Sequence, residues 1–237
     1  MSSSSPVVGN ATAASENSQL DFMKKLPKVE LHAHLNGCIR ESTLFDLAKE
    51  RGVKLNKHHF AEADPEEDHS MYNVRPRSLG DCFEMFAEIT KCIDDLPSLS
   101  RITMEALEDF AEQHVAYLEL RSTPKLLLVK TGTNQQASKQ EYCRTILECM
   151  RQVEMDEAIR YKSEYSGNYT LPRLPMVCRF IVAIDRSQPL TDAKEHVLIA
   201  EEMRREFGDL VVGLDLGGNP TKVNTLTSFL DFHAIAQ

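Results

Sequence analysis

The sequence predicts an α/β fold built on a parallel sheet, and three observations carry that prediction. Four short runs concentrate apolar and β-branched residues, at Lys28 to Leu35, Ala116 to Thr123, Val177 to Asp185 and Leu210 to Leu216. Apolar stripes at helical spacing separate these runs, and each run ends in a polar or glycine-containing turn. Strands joined through helices are parallel neighbours, because a tight turn can join only antiparallel ones.

Along the chain, Met1 to Leu20 is rich in Ser, Ala and Asn and too polar to bury much surface, so residues 1–20 are expected to form a disordered tail. A single domain is expected over residues 21–237. After the first strand, Thr43 with Asp46 three positions later has the form of a capping box, opening a short helix through Leu44, Leu47 and Ala48. The acidic stretch at about 56–78 has no sustained period and reads as a surface excursion or lid. Leu79, Phe83, Phe86, Ile89 and Ile93 then mark one helix, and Ile102, Leu107, Phe110 and Ala111 mark the next. Beyond the second strand, Tyr142, Ile146, Met150 and Val153 align on a helix. An inserted loop follows at about 161–175, carrying Gly167, Pro172 and Pro175. The last stripe is Ala193, Val197, Ala200, Met203 and Phe207.

Composition excludes several function classes. With 27 basic against 36 acidic residues, the net charge of −9 would repel a phosphate backbone, so no nucleic-acid partner is expected. No apolar run approaches the roughly 20 residues of a membrane span, and the opening segment lacks a basic start and an apolar stretch. The six cysteines show no C-x-x-C pair and read as reduced thiols, which with the absent leader predicts a cytoplasmic protein.

The most informative residues are His32 and His34 in Val-Glu-Leu-His-Ala-His-Leu-Asn-Gly. Alternation along a strand points residues i and i+2 to one side, so both imidazoles can reach one ion, and zinc suits them. A hydrogen-bonded pair of core histidines is the alternative for the motif in isolation. The other strands also end in polar groups: Arg121-Ser122-Thr123-Pro124, Asp185-Arg186 and Asp215-Leu216-Gly217-Gly218-Asn219-Pro220. Each alone suits a βα turn. Four such ends together point to one functional edge, since parallel barrels build sites at the C-terminal ends of strands.

His-Ala-His-Leu-Asn-Gly, Tyr-Leu-Glu-Leu-Arg-Ser-Thr-Pro, Ala-Ile-Asp-Arg and Gly-Leu-Asp-Leu-Gly-Gly-Asn-Pro occur in the order found in adenosine deaminase-like proteins. The chain resembles that family from about Leu26 to Pro220, and most of all its branch acting on N6-methyl-AMP. The resemblance implies a (β/α)8 barrel of the TIM type, with about the first four βα units present, and zinc-dependent hydrolytic removal of the amine at C6 of a purine. It implies His32 and His34 as zinc ligands, and His34, Asn36, Ser122, Thr123, Pro124, Lys125, Asp185 and Gly218 as contacts to a small-molecule purine nucleotide. Members acting on adenosine carry Asp where this chain has Asn36. A carboxylate there would repel a 5′-phosphate, whereas a neutral amide can donate to one. Lys125 could pair with that phosphate or could be a solvated surface lysine. Gly217 and Gly218 could admit a purine ring closely or serve only the turn.

The family's third metal-binding His and its acid–base Glu come from a fifth-strand His-x-x-Glu motif, and further His and Asp groups follow the sixth and eighth strands. None follows Pro220 in these 237 residues. No catalytic acid is therefore assigned, and the chain is expected to be incomplete, with two exposed sheet edges, an apolar interior left uncovered and weak zinc binding. His58, His59 and His69 read as surface residues, and His233 as unrelated to zinc. Thr90 stands where relatives of the nucleotide branch carry His. The alternatives are deamination of free adenosine, and a non-catalytic chain with a binding role, completed by a subunit of unknown identity.

Overall fold

The computed structural model describes residues 22–56, 60, 78–165 and 173–220. The expected tail, most of the acidic excursion with His58, His59 and His69, the middle of the inserted loop, and the segment holding His233 lie outside the described residues.

Strand β1 (Lys28–His34) is followed by α1 (Glu41–Arg51), α2 (Leu79–Cys92) and α3 (Leu96–Glu112). Strand β2 (Val115–Ser122) leads into a small hairpin, β3 (Leu127–Leu128) and β4 (Gln136–Ala137). Next come α4 (Lys139–Tyr165), β5 (Val177–Asp185), α5 (Leu190–Phe207) and β6 (Val211–Gly217). The main sheet has the order β1-β2-β5-β6 with every neighbouring pair parallel. Chain order and spatial order coincide, as in successive βα units of a TIM-type barrel.

Side-chain alternation on the central strands divides the sheet into two faces. Leu118 and Leu120 of β2, with Cys178, Phe180 and Val182 of β5, are fully buried against the helices, where they meet Ile102, Leu107, Ile146, Leu147 and Met150. Each such residue contributes about 1.5–3 kcal/mol on leaving water. The opposite parity carries Tyr117, Glu119, Arg121, Arg179 and Asp215. The same parity carries Val177, Ile181 and Ala183, so the inner face is mixed rather than wholly apolar, and the large exposed apolar side chains of the sheet, Val29, Leu31 and Val212, lie on its outer strands. Four of the six thiols, those of Cys92, Cys143, Cys149 and Cys178, are buried, and all six are free, as the sequence implies. Among the described residues no helix is long and apolar enough to cross a membrane.

The helix starts depart from expectation in one place. Thr43 and Asp46 do not cap α1, which begins at Glu41 with Arg40 in the capping position. Thr43 lies within the first turn, on the buried face, and its hydroxyl donates to Glu105 Oε2 at 2.6 Å, while Asp46 pairs with Arg101 at 3.1 Å. The reciprocal box occurs on α2. There the Ser78 hydroxyl accepts from the Asp81 amide at 3.1 Å, and the Asp81 carboxylate accepts from the Ser78 amide at 2.9 Å.

Asp95 ties three segments together. Its Oδ1 caps α3 by accepting from the Ser98 amide at 2.9 Å and from Arg51 Nη2, at the end of α1, at 3.1 Å. Its Oδ2 accepts from the Thr131 amide at 2.9 Å and hydroxyl at 2.8 Å, in the β3–β4 connection. Burial alone would raise this carboxyl, but the hydrogen bonds from Ser98 and Thr131 outweigh it and hold the pKa at about 2, below the ordinary 3.8. A depressed folded value means that the stabilisation is complete above the unfolded pKa and disappears as pH falls toward the folded one. Asp95→Asn should lower unfolding free energy by roughly 2 kcal/mol at neutral pH. Urea titrations should show this deficit shrinking between pH 4 and pH 2, and a deficit constant over that range would contradict the linkage.

Candidate functional site

The C-terminal ends of the four strands open into a cavity of about 580 Å³. Register places the chemistry there, because His34 lies beside Arg121, Ala183 beside Asp215, and Asp185 beside Gly217. His32, His34, Asn36, Ser122, Thr123, Lys125, Asp185 and Gly218 all line it. Pro124 is buried and is not among the lining residues, since the chain turns away from the cavity between Thr123 and Lys125.

His32 and His34 project from the same side of β1 with ring centroids 5.3 Å apart and planes at 68°. The His32 amide is bonded to the Glu30 carboxylate of its own strand at 2.7 Å, where the pairing of β1 with β2 shifts register. Arg121 Nε donates to His34 Nε2 at 3.0 Å, and Arg121 Nη2 contacts Nε2 of both histidines. Nη1 of the same guanidinium pairs with Asp215 Oδ2 at 2.7 Å. Partial burial, then the charges of Arg121 and His32, push the His34 imidazole below its ordinary value, with Asp215 opposing. A neutral imidazole is the form that ligates metal.

The donor chemistry therefore fits two ligands of a metal site, with both Nε2 atoms directed to one place. It does not complete one. Among the described residues no group of three or more His, Cys, Asp or Glu side chains could hold an ion, and the Arg121 guanidinium lies across the two imidazoles.

Also lining the cavity, Lys125 Nζ donates to Thr90 Oγ1 at 3.2 Å. Burial pushes its ammonium below the ordinary lysine value, against the nearby Asp185 charge. No ion pair to Lys125 is seen among the described residues, so its one polar partner is a neutral hydroxyl. Asn36 sits on the 3-10 turn Leu35–Gly37 that closes β1. Phe83 and Phe86 of α2 provide an apolar wall, and a Cβ on Gly37 would come within 3.7 Å of Phe86, so the turn packs directly under that helix.

Two of the expected contacts are partly committed to structure. The Ser122 hydroxyl shares a hydrogen bond of 2.7 Å with the buried Tyr142 hydroxyl, on the helix side of β2. Asp185 Oδ1 accepts from the amide and hydroxyl of Ser187 at 2.9 and 2.8 Å, which leaves Oδ2 for other work. Gly218 adopts φ +88°, and a Cβ there would lie 2.2 Å from Asp185 Oδ1. Only glycine lets the chain leaving β6 pass so close to this carboxylate. Sequence reasoning passed over Arg121 as a site residue, treated Asp215 as one of several turn formers, and used Phe83 and Phe86 only to mark a helix. The signal for Arg121 lay in strand parity, which puts it on the histidine face.

The family profile described as adenosine deaminase matches residues 27–237. The N6-mAMP deaminase of Arabidopsis thaliana is 37% identical over 209 residues, covering 85% of this chain and 54% of that protein. The N6-methyl-AMP deaminase of Danio rerio is 35% identical over 203 residues, covering 84% and 49%. The chain thus spans about half the length of these relatives. The crystal structure of Arabidopsis ADAL complexed with IMP superposes with a TM-score of 0.62 at 33% identity, covering 91% of this chain and 56% of that one. The four-strand unit with its site at the strand ends, and the match across nearly its whole length, place this chain in the adenosine deaminase family.

Proposed function

We propose that this chain supplies the nucleotide-binding side of a zinc-dependent deaminase that hydrolyses N6-methyl-AMP, or a related N6-substituted AMP, to IMP. The observation that carries the nucleotide is Lys125, a half-buried ammonium that lines the same cavity as the histidine pair and whose hydrogen-bond partner among the described residues is the Thr90 hydroxyl. A desolvated cation of this kind gains most from an anionic ligand. The relatives named as N6-methyl-AMP deaminases, and the related structure bound to IMP, support the same substrate class.

In this reading His32 and His34 hold the zinc, which when bound supplies Lewis-acid activation of water for attack at C6. Lys125 and the Asn36 amide bind the 5′-phosphate, and Phe83 and Phe86 shield the purine from solvent. Thr123 and the free oxygen of Asp185 give the remaining polar contacts. Gly218 lets the backbone after β6 approach the Asp185 carboxylate without a side chain between them. The acid that protonates the ring is not assigned to any of the described residues.

Binding and turnover separate the possibilities. The full chain should bind IMP at least about tenfold more tightly than inosine, and Lys125→Met should abolish that preference while leaving inosine unaffected. Equal affinities in the unaltered chain would refute phosphate recognition and favour adenosine as substrate. Amine release from N6-methyl-AMP should exceed that from adenosine by a similar factor in kcat/KM. IMP binding without release of amine from any of these substrates would favour the non-catalytic role.

Gly218→Ala tests Asp185. Gly132 has a similar φ of +84° with open space around its missing Cβ, so Gly132→Ala isolates backbone strain. Each variant should lose about 1–3 kcal/mol of stability. Only Gly218→Ala should also weaken IMP binding, and equal IMP affinity in the two variants would remove Asp185 from the nucleotide contacts.

A further inference from the structure

Arg186 lines the cavity, and the deaminase reading gives it no task. It follows Asp185 at the end of β5 and is half-buried. Three of its hydrogen bonds end on the last two residues of β6. The Arg186 amide donates to the Gly217 carbonyl at 3.1 Å, Nε donates to the same oxygen at 2.9 Å, and Nη2 donates to the Leu216 carbonyl at 2.8 Å. A guanidinium stays protonated and carries its donors in a rigid fork, so these contacts fix one geometry. Hydrogen bonds from a charged donor are also about twice as strong as neutral ones.

These contacts lie where the site has least room. A Cβ on Gly218 would come within 2.2 Å of Asp185 Oδ1 and 3.3 Å of the Arg186 amide nitrogen, so the turn after β6 packs directly on the Asp185 carboxylate. The two residues after Asp185 act on it differently. Ser187 holds Oδ1 through its amide and hydroxyl, whereas Arg186 holds the glycine turn against which that oxygen rests. Among the described residues β6 pairs with β5 alone, so the guanidinium adds a second tie at the end of an outer strand.

We propose that Arg186 is a positioning residue for nucleotide binding, which clamps the Leu216–Gly218 turn onto the Asp185 carboxylate and so keeps Asp185 Oδ2 in place for the nucleoside part of the ligand. The inference rests on the nucleotide-binding reading given above. Two donors of the fork are engaged by carbonyls, which separates this role from that of a second cation for the phosphate. A clamp acting through a carboxylate serves the nucleoside, which IMP and inosine share, because a carboxylate repels a phosphate. A phosphate cation would serve IMP alone.

Arg186→Met removes the fork and its charge. In the full chain it should weaken IMP and inosine binding by the same factor, at least about tenfold, and leave the ratio of the two affinities unchanged. Asp185→Asn should weaken both as well, and adding Arg186→Met to it should cost nothing further, since residues acting as one unit are not additive. Arg186→Lys keeps the charge without the fork and should restore neither ligand. A loss confined to IMP, restoration by lysine, losses that multiply in the double variant, or no loss at all would each overturn the clamp and leave the nucleotide reading standing. Equal affinity for IMP and inosine in the unaltered chain, with the shared loss still present, would refute phosphate recognition and support the clamp. Failure of the unaltered chain to bind either ligand overturns both. If Arg186→Met does not fold, Arg186→Lys decides: a shared loss that Asp185→Asn absorbs supports the clamp, and unchanged affinity overturns it.

Discussion

The two-residue alternation of the central strands governs the rest of the molecule. On β2 and β5 one parity supplies Leu118, Leu120, Phe180 and Val182 to the helices, and the other supplies Arg121, Ala183 and Asp185 to the cavity. Packing and chemistry are therefore not independent. A one-residue slip in either strand would turn core side chains into the cavity and bury the charged ones against helices. The hydrophobic gain on the helix side thereby enforces the register on which the site geometry depends.

That coupling explains why polar groups are tolerated on the inner face. Several of its charged groups have local partners. Arg121 is held by Asp215, and the Tyr117 hydroxyl donates to Glu119 at 2.8 Å. Arg179 pairs with Glu154 of α4, whose carboxylate also accepts from the Cys178 amide at 2.7 Å. Satisfied in this way, the face adds little hydrophobic stabilisation and leaves that role to the helix-facing core.

The strands were legible to within about a residue at each end, because apolar runs bounded by turn formers are a local signal. Val177 to Asp185 agrees at both ends, and the run begun at Lys28 closes at His34 rather than Leu35. The histidine pair and its place at a strand end were legible for the same reason. The β3–β4 hairpin was not, since strands of two residues each are too short to show a period. Thr43 was misread as a cap because its hydroxyl finds its partner, Glu105, 62 positions away, a contact invisible to local spacing. Phe83 and Phe86 form the same stripe whether they meet a core or a ligand, so periodicity cannot separate the two. Lys125 was legible as a candidate phosphate partner from its place after the second strand, but what sets it apart from a solvated surface lysine, its partial burial and its bond to Thr90, is in no motif.

The carboxylate of Glu30, folded back onto the His32 amide, has a consequence for assembly. β1 is an outer strand of the described sheet and exposes Val29 and Leu31, the composition that invites another chain to pair along it. The Glu30 carboxylate meets the His32 amide between those exposed side chains and the histidines, and a charge on an outer strand opposes the pairing that Val29 and Leu31 would favour.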